Sequence, residues 1–230
     1  MKAVIFDCDG TLVDSEGLWH EVLVAAVAEQ GLILSVAEAI EAFRGGKMAD
    51  CLADLEARLG HALPADFEPA LRARIAEVFR ARLRPFDGAI ELVRSLSSSR
   101  SICVASSGPP DKIATSLSLT GLWPFFEGRV FSSYDVGVWK PDPGLFPHAA
   151  RAMGVAPEDC AVLEDSLPGI RAGLAAGMTV FAFQPQDVDP RIPAGVTVLK
   201  SLLELRSLLG VSAAEAALRR RRAGERRNSL

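Results

Sequence analysis

A chain of 230 residues with 49% hydrophobic content and a mean hydropathy of +0.22 can bury a sizeable core, as one large domain or a core with an inserted unit. Its most apolar stretch, Val22 to Ala28, is too short to span a bilayer, and the first apolar run begins almost at Met1, so neither a membrane span nor a signal segment is expected. The formal net charge of −4 is uneven, because residues 219–230 hold six Arg and one Glu.

The chain opens with four apolar residues, Ala3 to Phe6, that end abruptly at Asp7, with a second carboxylate at Asp9 and then Gly10 and Thr11. A short apolar run bounded by turn residues predicts a buried strand. Open α/β sheets bind ligands just beyond the carboxyl ends of their strands, so Asp7 is expected there, with Asp9 beside it on the turn. Adjacent carboxylates repel and cost stability unless a cation or a reaction needs them. Taken alone, such a pattern is more often an ordinary acidic turn.

From Ser15 to about Leu83 the sequence reads as helices only. Glu16 to Gln30 stops at Gly31, and Ser35 with Glu38 forms a capping box that opens a short helix. Gly45-Gly46 interrupts, Lys47 to Leu59 runs on to Gly60, and Pro64 is expected to start the last helix. Pro85-Phe86-Asp87-Gly88 then returns the chain to a strand–helix alternation. Ser101 to Ala105 leads into Ser106-Ser107-Gly108, Lys140 opens the Pro-rich Lys140-Pro141-Asp142-Pro143, and Cys160 to Leu163 leads into Glu164-Asp165-Ser166. Cys8, Cys51, Cys103 and Cys160 are scattered with no Cys-x-x-Cys, which reads as buried, reduced thiols of a cytoplasmic protein.

Asp7-Cys8-Asp9-Gly10-Thr11, Ser106, Lys140 and Glu164-Asp165 resemble, in the same order, the four motifs of the haloacid dehalogenase superfamily. Pro168-Gly169-Ile170 and Ala175-Ala176-Gly177-Met178 match its pattern too, and the resemblance spans Lys2 to about Phe183. It implies an α/β fold with a Rossmann-like parallel sheet and an all-helical cap inserted after the first strand. The expected division is a core of residues 1–14 and 86–218, a cap of 15–85, and a basic tail of 219–230. The bottom-up reading agrees, because parallel strands gather positions far apart in sequence along one sheet edge.

A carboxylate, a hydroxyl, an ammonium and an acidic pair at one point suit phosphoryl transfer. Asp7, Asp9, Glu164 and Asp165 bring up to four negative charges against Lys140, and a phosphate monoester adds about two more. A unit pair at about 4 Å interacts by roughly 4 kcal/mol at an effective dielectric near 20, so a cation is needed. An all-oxygen site suits Mg²⁺, held by Asp7, Asp165 and the Asp9 carbonyl, with Glu164 as the further acidic candidate. The resemblance implies that Asp7 attacks phosphorus, that Asp9 is the acid and base, and that Ser106, Ser107, Gly108 and Lys140 hold the phosphate. With an ordinary carboxylate pKa, Asp7 would be ionised without help.

The substrate expected is a small phosphorylated metabolite, a sugar or sugar-acid phosphate, handled by a monomer. β-Phosphoglucomutase-like and phosphoglycolate phosphatase activities are the alternatives. The mutase pattern is weakened because Trp19 and Met48 stand where it has a His and an Arg, with His20 one place away. Trp139 before Lys140 and Ser133-Tyr134-Asp135 more closely resemble bacterial 6-phosphogluconate phosphatases. Arg44 and Lys47, flanking the Gly-Gly pair, are the candidates for gripping a distal anionic group. Asp9 argues against dehalogenation, and the full set of motif residues argues against a non-catalytic scaffold. For the Arg-rich segment a solvated helix end or tail is preferred over a surface for nucleic acid.

Overall fold

In the computed structural model, which describes residues 1–210, six strands form one sheet: β1 (Ala3–Phe6), β2 (Ser101–Ser106), β3 (Val130–Ser132), β4 (Cys160–Glu164), β5 (Thr179–Phe183) and β6 (Thr197–Leu199). Their order is β3-β2-β1-β4-β5-β6, and every neighbouring pair is parallel. The basic segment 219–230 lies outside the described residues. A parallel sheet needs both faces covered, and the apolar alternation supplies two of them. Val4, Phe6, Ile102, Val104, Ala161, Leu163 and Phe181 belong to one buried cluster; Ala3, Ile5, Cys103, Ala105, Cys160, Val162, Val180 and Ala182 belong to the other. Phe6 meets Phe126 edge to face at 5.9 Å on the first face. All four cysteines are buried and unpaired.

Between β1 and β2 lie five helices, of which the first four come from the all-helical stretch: α1 (Glu16–Ala28), α2 (Val36–Phe43), α3 (Met48–Leu59) and α4 (Phe67–Arg82), followed by α5 (Ala89–Ser97). The Ser35–Glu38 capping box forms as the sequence implies. Gly60 closes α3 in the left-handed conformation, at φ 75°, which a Cβ would oppose. Pro64 does not start α4. Its carbonyl accepts from the Phe67 amide in a turn, and the helix begins three residues later than the proline signal implies. The remaining helices are α6 (Pro110–Leu119), α7 (Trp123–Phe126), α8 (Ser133–Val136), α9 (Leu145–Ala152), α10 (Leu167–Ala175) and α11 (Leu202–Leu208). None of the described helices is long and apolar enough to cross a membrane.

Register delivers the chemistry. Phe6 pairs with Val104 on one side and Leu163 on the other, so the residues that follow, Asp7, Ala105 and Glu164, come level at the carboxyl edge. β4 passes straight into α10 through Ser166, whose Oγ caps the helix by accepting from the Gly169 amide at 3.2 Å. The Glu164 side chain is 1% exposed beneath this first turn. A Cβ at Gly169 would lie 1.8 Å from Glu164 Oε1, so only glycine lets α10 seat over the buried carboxylate. Gly169→Ala should therefore lower stability by about 1–3 kcal/mol in urea denaturation. Gly177→Ala, at φ 71° with nothing near its Cβ, should cost only the price of its backbone strain. A neutral Gly169→Ala would mean that the close approach is not a packing constraint.

Candidate active site

Lys140, 7% exposed, spans two carboxylates, with Nζ 2.5 Å from Asp7 Oδ1 and 2.6 Å from Glu164 Oε1. The other Glu164 oxygen accepts from the Ser166 amide at 2.8 Å and its hydroxyl at 3.0 Å. Both Glu164 oxygens are thus engaged. Glu164, a candidate acidic ligand from the sequence, lies tucked under α10 and holds Lys140 against Asp7. Burial lowers the Lys140 pKa, but Asp7 and Glu164 outweigh it and the net shift is upward, so the ammonium stays charged.

Asp7 is 6% exposed at the tip of β1, and its amide donates to the Leu163 carbonyl at 2.9 Å. Burial pushes its carboxyl well above the usual range, with Lys140 pulling the other way. The ammonium beside it favours the charged form of Asp7 against that burial. Asp165, 4% exposed, is pushed up to about 6, again chiefly by burial. Its Oδ1 accepts from Thr11 Oγ1 at 3.0 Å, and its Oδ2 meets Arg44 Nε at 2.8 Å and Nη2 at 2.7 Å. Gly10, at φ 75°, brings the Asp9–Thr11 turn so close that a Cβ there would sit 2.3 Å from Asp165 Oδ2.

Asp9 has two partners on one oxygen: Ser15 Oγ at 2.7 Å and Lys112 Nζ at 2.6 Å. Lys112 is a site residue the sequence reading missed. It stands in the first turn of α6, where a cation opposes the helix dipole, and that misfit just after Ser106-Ser107-Gly108 was the available signal. Lys112 and Arg44 also correct the charge count, since Lys140 does not face the acidic cluster alone. Ser106 is buried, with Oγ accepting from the Gly108 amide at 3.1 Å, while the Gly108 carbonyl accepts from Ser132 Oγ at 2.6 Å. These bonds fix the Ser106–Gly108 loop at the end of β2.

One cavity joins this edge to the helical segment. Asp7, Asp9, Ser106, Ser107, Gly108, Lys140, Glu164 and Asp165 line it from the sheet; Glu16, Trp19, His20, Gly45, Gly46, Lys47, Met48 and Arg72 line it from the helices. Lys47 lines the cavity. Arg44 does not line it and turns instead to Asp165. Gly45 touches the sheet side so closely that a Cβ would be 2.6 Å from Ser166 Cβ. His20 is 1% exposed and bonds through Nδ1 to the Glu16 carbonyl of its own helix at 2.7 Å; burial lowers its pKa to about 4. It therefore stands neutral, with Nε2 buried and unpartnered. Burial pushes the neighbouring Glu16 up to about 8.

The donor chemistry fits a hard cation. Among the described residues no three His, Cys, Asp or Glu side chains converge as a metal cluster. Two buried carboxylates, Asp7 and Asp165, with the Asp9 backbone beside them, suit an ion that keeps several waters, as Mg²⁺ does. The Arg44 guanidinium seated on Asp165 Oδ2 is itself a cation at that position.

A family model of haloacid dehalogenase-like hydrolases matches residues 1–177. The 6-phosphogluconate phosphatase of Escherichia coli is 36% identical over 211 residues, covering 90% of this chain and 94% of that protein. A phosphoglycolate phosphatase of Thiobacillus denitrificans is 28% identical, covering 79% of this chain and 82% of that protein. The crystal structure of a HAD family hydrolase from Deinococcus radiodurans, with bound phosphate and sodium, superposes with a TM-score of 0.72 at 32% identity, over 95% of this chain and 97% of that one. With the four motifs meeting at one sheet edge, the chain belongs to the haloacid dehalogenase-like hydrolases, and within them it is a phosphoric monoester hydrolase.

Proposed function

We propose that the protein is a Mg²⁺-dependent phosphatase that hydrolyses a small sugar or sugar-acid phosphate through an aspartyl-phosphate intermediate. The observation that carries this reading is the buried Lys140 ammonium bonded to Asp7 at 2.5 Å and Glu164 at 2.6 Å, in a cavity also lined by Asp9, Asp165 and Ser106. Asp7, kept anionic by adjacent positive charge, attacks phosphorus in line. Asp9 protonates the leaving oxygen and then takes a proton from the water that cleaves the acyl phosphate. Lys112 and Ser15 hold Asp9 in one orientation, which favours a single trajectory for the proton. Ser106 and the amides of the following loop bind the phosphoryl oxygens, and Lys140 neutralises charge on phosphate and nucleophile together. Asp7, the Asp9 carbonyl and Asp165 would hold Mg²⁺, which when bound screens the approach of one anion to another.

Helices α1–α4 serve as the cap, over residues 15–85, and close on the core of residues 1–14 and 86 onward. Closure excludes water from the charged pocket and selects the substrate. A phosphatase is favoured over a mutase because Trp19 and Met48 line the cavity at the positions where the mutase pattern has a His and an Arg, and the nearby His20 is neutral. Cytoplasmic action on a soluble metabolite fits four buried thiols without disulfides.

Asp7→Asn should lower turnover of p-nitrophenyl phosphate by more than about 10³-fold while circular dichroism shows a retained fold; residual activity within tenfold of wild type would remove Asp7 as nucleophile. EDTA should abolish phosphate release and Mg²⁺ restore it, while Asp165→Ala should shift the Mg²⁺ concentration for half-activity upward by about tenfold or more. Full activity after rigorous chelation would overturn the electrostatic account. Asp9→Asn should cost about 10²-fold or more on an alkyl phosphate and clearly less on p-nitrophenyl phosphate, whose leaving group needs little protonation. Equal losses on both, measured where phosphorylation limits the rate, would exclude general acid catalysis by Asp9.

A further inference from the structure

Arg44 ends α2, and its guanidinium crosses to the sheet edge, where Nε at 2.8 Å and Nη2 at 2.7 Å both donate to Asp165 Oδ2. One oxygen thereby takes two charged donors, while Oδ1 takes the Thr11 hydroxyl at 3.0 Å. Oδ2 is also the oxygen nearer the Asp9–Thr11 turn, since a Cβ at Gly10 would lie 2.3 Å from it and 3.0 Å from Oδ1. The guanidinium therefore sits on the oxygen that faces the turn carrying the Asp9 carbonyl, the group placed beside Asp165 in the cation reading.

Two positive groups compete for that oxygen. Mg²⁺ needs oxygen lone pairs at about 2.0–2.1 Å in a near-octahedral shell, and Oδ2 already gives its own to two N–H donors. The formal charges agree. Asp7, Asp9, Glu164 and Asp165 face Lys140, Lys112 and Arg44, which leaves one negative charge. A dication added to the full set would turn that into a positive surplus, whereas a dication in place of Arg44 brings the set to neutrality. Unmatched charge among buried groups is the costlier state. Withdrawal of Arg44 needs no break in the helix. It lies just past the last residue of α2, its side chain is 32% exposed, and Gly45 and Gly46 follow, Gly45 at φ 71°. Asp189, on the loop between β5 and β6, is held below the usual carboxylate range first by Arg191 and in part by Arg44, so a second carboxylate lies within the field of the guanidinium.

We propose that Arg44 is a tethered competitor for the divalent cation: its guanidinium holds Asp165 until metal takes that carboxylate, and metal binding thereby unties α2 from the sheet edge. The inference rests on the reading of Asp165 as a metal ligand. It goes beyond that reading by linking metal occupancy to the docking of the helical segment, and such a linkage runs in both directions. With Arg44 on Asp165 about nine-tenths of the time, the apparent dissociation constant of the metal is raised about tenfold.

The probe is Mn²⁺, which shares the octahedral oxygen preference of Mg²⁺; it is titrated into the protein and its free fraction is read by electron paramagnetic resonance. Arg44→Gln and Arg44→Ala should bind Mn²⁺ about tenfold more tightly than wild type, and Arg44→Lys, which keeps the charge, should stay within about threefold of it. Hydrogen exchange reads the opposite direction. Saturating Mg²⁺ should speed exchange severalfold in the wild-type peptide that holds the Arg44 and Gly46 amides, which bond to the Ile40 and Phe43 carbonyls. In Arg44→Gln that peptide should exchange fast with or without the ion. Unchanged or weaker Mn²⁺ binding in both neutral variants would overturn the proposal, because loss of a residue that only orients Asp165 lowers metal affinity. Protection of the peptide by Mg²⁺ in the wild type would overturn it as well. Asp165→Ala separates the two readings, since it should weaken Mn²⁺ binding about tenfold or more. An unchanged affinity in that variant would remove the metal assignment itself.

Discussion

The contact on which the rest of the site depends is the Lys140 ammonium wedged between Asp7 and Glu164, with all three side chains nearly out of solvent. Buried ion pairs are poor stabilisers, because the desolvation of each charge offsets much of the attraction, and removing one partner costs about 3–5 kcal/mol. Such a triad is retained for what it does to its members. Glu164 takes up part of the Lys140 charge and fixes its position; the remainder reaches Asp7, a carboxyl whose charged form burial disfavours. Glu164 is kept from wandering by the amide and hydroxyl of Ser166 and by the helix turn above it, where a side chain at Gly169 would collide. A packing constraint in α10 thus governs the electrostatics of a residue on β1.

A second layer comes from outside the motifs. Lys112 reaches Asp9 from α6, and Arg44 reaches Asp165 from the end of α2. Asp7, Asp9 and Asp165 therefore each meet a cation from a different element: Lys140 from the segment before α9, shared with Glu164, Lys112 from α6, and Arg44 from the helical segment. The consequence is mechanical as well as electrostatic. Arg44 on Asp165 and Gly45 against Ser166 tie the helical segment to the sheet edge at two neighbouring points, so displacing that segment also changes the charge around Asp165.

The strands that carry the motifs were readable because their signal is local. β1 occupies Ala3–Phe6 as its apolar run implies, and β2 and β4 end at the polar residues the sequence marks. The family and fold follow from those boundaries, since a parallel sheet turns strand ends into a shared edge. Pairings across the edge were not readable. Glu164 and Asp165 are consecutive acids, yet one faces Lys140 beneath α10 and the other faces Thr11 and Arg44. Strand alternation sends neighbours to opposite sides, but which side holds the lysine depends on where the loop before α9 returns. Composition around the Gly-Gly pair marks a cationic loop, while only the backbone path decides that Arg44 turns to Asp165 and Lys47 lines the cavity. Pro64 misled through a rule that holds for many helix starts, because the turn it forms delays the helix to Phe67.

The cavity is polarised along its length, and that polarity bears on how one scaffold can serve different metabolites. At the sheet edge the acids and their cations are nearly matched and enclosed, so the field there responds strongly to any added charge. Toward Lys47 and Arg72 the walls are partly exposed and carry a small positive surplus, where binding is weaker but less demanding in geometry. The chemistry is thereby confined to a rigid site built on strand ends, while discrimination falls to helix-borne side chains that can change without disturbing the Asp7–Lys140–Glu164 contact. His20 and Glu16 lie between the two regions, and burial holds both toward their neutral forms. A neutral stretch there meets a ligand by hydrogen bonds rather than by ion pairs. That division of charge, closely matched at the strand ends and neutral beside them, confines the strong fields of the cavity to the place where the motif residues meet.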